Sequence, residues 1–135
     1  MIWLLACTTA QPTLDVDDGR IPVEVTVEQR KLVGVVMRDN LAWLSQTLEA
    51  AGDGDLARVQ VVATEAATSR GPGGRDPTLQ EKLPEDWRQH GRRIHKLYRR
   101  IAEEPESVER VNQRLAEIVQ ACQACHASYR LSVVP

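Results

Sequence analysis

Phenylalanine is absent from this 135-residue chain, and its aromatic complement is three Trp and two Tyr. Aromatic rings are the largest core fillers, so one domain of this length with so few of them has a thin core. Long apolar runs are missing as well. No stretch approaches the ~20 consecutive apolar residues that a membrane-spanning helix needs. Neither sign of charge dominates: 17 Lys and Arg against 19 Asp and Glu leave a formal charge of -2. That balance gives no footprint for nucleic acid. Cysteine is scarce, and three cysteines cannot all pair, which excludes a pure disulfide framework. What remains, 42% apolar and 27% charged residues, suits one globular domain that is neither disordered nor integral to a membrane.

The chain opens Met1-Ile2-Trp3-Leu4-Leu5-Ala6-Cys7 and turns polar at Thr8. Leu4-Leu5-Ala6-Cys7 resembles the lipobox of bacterial lipoproteins, which makes residues 1–7 a short signal-like segment and Cys7 a candidate lipidation site. The segment departs from that pattern in having no Lys or Arg before the apolar run. The run is also shorter than the ~7–15 residues of a usual signal core. Residues 8–26 are rich in Thr, Pro and acidic positions such as Asp15, Asp17 and Asp18, and read as a polar tether. Within them Ile21, Val23, Val25 and Val27 alternate as a strand would. No partner strand is evident, so the tether reading is kept.

From residue 27 to 135 the pattern is helical. Thr26 with Gln29 forms a capping box ahead of the first helix. Its stripe is Val33, Met37, Leu41, Leu44, Leu48, and Gly52-Asp53-Gly54 ends it. A second stripe, Leu56, Val59, Ala63, Ala66, stops at Arg70. Gly71-Pro72-Gly73-Gly74 then opens a connection reaching Pro84, read as a flexible crossover. It lacks the Lys-Ser/Thr ending of a phosphate-binding loop. Pro84 begins a third helix with the stripe Trp87, Gly91, Ile94, Tyr98, Ile101. After Pro105 the fourth stripe runs Val108, Val111, Leu115, Ile118, Cys122, Cys125, Tyr129, a heptad seam. The expected fold class is all-α, an antiparallel four-helix bundle.

The last helix carries Cys122-Gln123-Ala124-Cys125-His126, the Cys-x-x-Cys-His pattern of c-type haem attachment. On a helix, positions i, i+3 and i+4 share one face. Two thiols at that spacing reach the two vinyl groups of a haem, and the adjacent imidazole reaches the iron. Because both cysteines continue the apolar seam, the haem is expected inside the bundle. The competing reading is a zinc site, which needs about four ligands and would have to recruit His90 and His95 from another helix.

The run from Cys122 to Arg130, the Pro84-x-x-Trp87 opening of the third helix and the long crossover together resemble the class II c-type cytochromes, the cytochrome c-556 and cytochrome c′ family. The resemblance covers roughly residues 27–132. It implies one covalent haem c near the C-terminus, with Cys122 and Cys125 as thioether sites and His126 as proximal ligand. Arg130 matches a basic position on the proximal side, and Tyr129 precedes it. The resemblance also implies residence on the periplasmic side of a bacterial membrane, in keeping with a lipid tether at Cys7, and a homodimer is a candidate state.

The opposite face of the iron separates the functions within that family. In cytochrome c-556 a first-helix methionine is the sixth ligand and the protein carries electrons. In cytochrome c′ the iron is five-coordinate and binds NO or CO. Met37 is the candidate distal ligand here, since a thioether suits haem iron. The register is open, because placing Arg30 on the family's basic residue puts Gly34 at the distal position. His90 is a further candidate ligand on the third helix. The expectation is therefore a one-electron carrier with a redox partner protein. The alternatives are a gas-binding protein and a zinc-stabilised interaction bundle. No nucleophile-base pair points to an enzyme.

Overall fold

The computed structural model describes residues 18–134 and is mostly helical. The elements in chain order are β1 (Ile21–Val25), α1 (Val27–Gly52), α2 (Leu56–Thr68), α3 (Pro77–Lys82), α4 (Glu85–Glu103), α5 (Val108–Ser128) and β2 (Tyr129–Val133), with a single 3-10 turn at Gly73–Arg75. Residues 1–7, including Cys7, and most of the expected tether lie outside the described residues. Among the described residues no helix is long and apolar enough to cross a membrane.

Local chemistry accounts for the helix ends. The capping box is present: the Gln29 N–H donates to Thr26 Oγ1 and the Thr26 N–H donates to Gln29 Oε1. Gln29 is buried, and its side chain also donates to Thr78 Oγ1 and accepts from Lys82 Nζ, both at 3.1 Å. One polar side chain thus starts α1 and docks α3 against it. Asp55, Asp76 and Ser107 cap α2, α3 and α5 through their side-chain oxygens.

The long helices pack in a ring. α2 lies against α1 and α4, and α5 lies against α4 and α1. Their shared core includes Trp43, Val59, Ala63, Tyr98, Ile101 and Leu115. The α1 stripe is corrected by this packing. Leu41 is 67% exposed and Leu48 is exposed, while Trp43, Thr47, Ala50 and Ala51 are buried in their place. Burying the Trp43 ring removes more apolar surface than burying a leucine, so the helix turns that face inward. Thr47 is tolerated there because its hydroxyl donates to the Trp43 carbonyl at 2.7 Å.

The tether expectation fails at its C-terminal end. Residues 21–25 form a strand whose partner is the end of the chain itself, paired in parallel from Ile21↔Tyr129 to Val25↔Val133. Alternation puts Val23 and Val25 inward, where both are buried. The same pairing shortens the expected last helix: the Tyr129 N–H makes the final helical bond to Cys125 O, and the chain then extends. β1 and β2 cover a second, smaller core of Val23, Val25, Val33, Leu79, Leu83 and Tyr129.

The crossover is also more ordered than expected. α3 lies within it, and its glycines make close approaches. A Cβ on Gly73 would stand 3.2 Å from Val36 Cγ2. Gly71 has φ +54 and the same neighbour at 3.1 Å. Gly71→Ala should therefore lower stability by about 1–2 kcal/mol, the cost of a left-handed alanine. Urea denaturation checks this, and an unchanged midpoint would contradict it.

Candidate functional site

The two cores do not close on each other. Between them lies an apolar cavity of about 410 Å³, walled by Val36, Met37 and Leu44 of α1, Ile94 and Tyr98 of α4, and Ile118 of α5. Cys122 and Cys125 line it from α5, because their three-residue spacing keeps both on the seam that Ile118 begins. His126 and His90 line it as well. A second, more polar cavity of about 590 Å³ adjoins it and shares Met37, Trp87, Cys125 and His126. Arg20, Arg30, Tyr129 and Arg130 face this second space. Both volumes fall in the ~300–1,000 Å³ range of cofactor and ligand sites.

Most residues singled out from the sequence are brought together here. Cys122 and Cys125 are free, half-buried thiols. Burial pushes both up from the usual thiol range, and the neighbouring Cys122 adds to the effect at Cys125, so both are protonated at neutral pH. His126 is exposed at the rim shared by the two cavities, and its carbonyl accepts from Arg20 Nη1 at 3.3 Å. Arg20 is itself paired with Asp18. Tyr129 and Arg130 reach the site from β2 rather than from a helix. Tyr129 is buried with its ring 5.7 Å from that of Trp87, at 46°. Met37 stands at the junction of the two cavities, whereas Gly34 lines neither.

The zinc reading lacks a ligand set, because no three or more His, Cys, Asp or Glu side chains among the described residues gather closely enough to hold a metal ion. His95 lines the apolar cavity with Nδ1 engaged to the Ala66 carbonyl at 2.9 Å, which fixes the ring. Tyr98 was legible only as a core residue. It is 1% exposed, it lines the cavity, and its hydroxyl has no hydrogen-bond partner among the described residues. Burial drives its phenol pKa far up, helped by Cys122, so it stays a neutral donor. A buried donor without a partner costs about 1–3 kcal/mol unless something in the cavity meets it. No sequence signal separates such a tyrosine from ordinary core.

A flat apolar group bearing two thiol-reactive arms and a metal fits this arrangement. Two thiols lie on one wall, an imidazole stands at the rim, a thioether lies within reach of the same space, and a donor lacks a partner. No known protein family, curated protein or solved structure matches the chain.

Proposed function

We propose that the protein is a c-type cytochrome of the class II kind, an antiparallel bundle of α1, α2, α4 and α5 carrying one haem c. Cys122 and Cys125 would hold the haem through thioethers and His126 would be the proximal ligand. The observation that carries this reading is the convergence of Cys122, Cys125, His126 and Met37 on one cavity with apolar walls. Bound there, haem would supply reversible one-electron chemistry at iron.

The chain's own residues do the rest. Ile94, Ile118 and Leu44 exclude water and keep the surroundings of low dielectric, which tunes the potential. Met37 offers a soft sulfur from the α1 side, as an electron carrier of the cytochrome c-556 type requires. Arg20 and Arg30 border the polar cavity and would meet the acidic edge of the cofactor there.

Five-coordinate, gas-binding iron of the cytochrome c′ type is the second reading, and the closeness of the apolar and polar cavities at Met37 favours it if that side chain swings aside. A redox partner protein, a periplasmic location, a lipid tether at Cys7 and a homodimer complete the proposal. The dimer would use α1 and α2, which expose Leu41, Leu48 and Val61.

The test is a visible spectrum of the full chain expressed with a haem c maturation system. A covalent haem signal that survives denaturation, with a low-spin reduced spectrum unchanged by CO, supports the electron carrier. A high-spin spectrum shifted by CO selects the gas-binding reading. A chain that takes up no covalent haem overturns both.

A further inference from the structure

A third cavity lies apart from the cofactor space, between the end of α2 and the flank of α4. It has about 580 Å³ and is bordered by Ser69, Arg70, Arg92, Lys96 and Arg99, with His95 forming the wall it shares with the apolar cavity. From Trp87 to Ala102, α4 carries no acidic residue and six Lys or Arg. Arg92, Lys96 and Arg99 stand at i, i+4 and i+7, so they share a face and repel one another. Surface helices ordinarily interleave opposite charges at that spacing.

Ion pairing accounts for part of the cluster only. Arg88 and Arg92 pair with Glu85, and Arg93 pairs with Glu117. Among the described residues Arg70, Lys96 and Arg99 have no carboxylate partner, and Arg70 is brought to the other two from across the cavity. The bland explanation is that these cations neutralise the carbonyl end of α2. That end is worth roughly half an elementary charge. Three cations without a carboxylate partner among the described residues exceed it several-fold, and their exposed side chains surround one open groove.

We propose that this cavity is a binding site for a multivalent phosphate group, held by Arg70, Lys96 and Arg99 with the Ser69 hydroxyl at its base. Arginine forks and an ammonium suit phosphate oxygens. The site shares only His95 with the neighbouring cavity. The phosphate belongs either to a free compound or to an anionic lipid headgroup, and two probes separate these sources.

Inorganic pyrophosphate is titrated into the full chain at constant ionic strength, by calorimetry and by thermal melting. One saturable site and a raised melting temperature are expected. Lys96→Gln with Arg99→Gln should bind at least ten-fold more weakly. In phosphate-free, low-salt buffer that double variant should melt at or above the wild-type temperature, because repulsion is relieved, and this shows that it folds. Arg100→Gln, on the same helix but outside the cavity, should bind like wild type.

Vesicles of phosphatidylcholine, with and without phosphatidylglycerol, are the second probe. Capture by the anionic vesicles that is lost in the double variant assigns a lipid headgroup. Pyrophosphate binding without vesicle capture assigns a free phosphate compound. Absence of saturable binding to either probe, or an equal loss in Arg100→Gln, overturns the proposal.

Discussion

If the proposed haem is bound, Cys122→Ala combined with Cys125→Ala should abolish its covalent attachment and lower the melting temperature sharply. A haem in that space would cover the apolar walls of a cavity of about 410 Å³, and covering apolar surface stabilises a fold. Domains of this size have ~5–15 kcal/mol in all. The unpartnered Tyr98 hydroxyl adds its own cost in the same place. The alanines themselves remove only two half-buried thiols, so most of the loss would come from the absence of the proposed cofactor. Thermal melts of the haem-loaded wild type and the double variant decide the matter. The expected difference is tens of degrees, and superimposable melts would sink the account.

In the proposed cytochrome, Met37→Ala should convert the iron from low to high spin, open it to CO and lower the midpoint potential. The potential is expected to fall by on the order of 0.1 V, within the ~0.8 V that axial ligands span. The expectation rests on position: Met37 lines both cavities beside His126, and Gly34 lines neither. His90 lines the apolar cavity too, which makes His90→Ala the control, with an unchanged spectrum expected. A wild type that is already high-spin and binds CO readily would transfer the protein to the gas-binding reading.

Much of this architecture was legible from periodicity. The capping box at Thr26 and Gln29, the breaks at Gly52 to Gly54 and at Pro105, and the seam from Val111 to Cys125 are local signals, and the structure follows them. The misreadings arose where a distant partner decides. Ile21 to Val25 alternates clearly, yet a strand is worth little without its mate, and that mate lay inside what read as the end of a helix. Tyr129 keeps heptad spacing after Cys125, but pairing with β1 outweighs one further helical turn. On α1 a leucine stripe and a Trp43 face competed, and spacing alone does not rank them; burying the larger ring does. For the site, the residue types and spacing of Cys122, Cys125 and His126 were open to view. Tyr98 and Arg20 were not, because their roles come from walls contributed by separate elements.

The pairing of β1 with β2 also sets an order of assembly. Its two strands lie about a hundred residues apart, so it closes almost the whole chain into one loop. Contacts of such separation form late, after the helices have docked. On that order the final turn of α5, with Cys125 and His126, is expected to be the last part of the helix held in place. Chemistry on those thiols has its natural window before that closure. Val25→Ala, which thins the buried side of β1, should speed unfolding while leaving the folding rate nearly unchanged. Stopped-flow kinetics would read this directly, and a matching drop in folding rate would place the strand pair early instead.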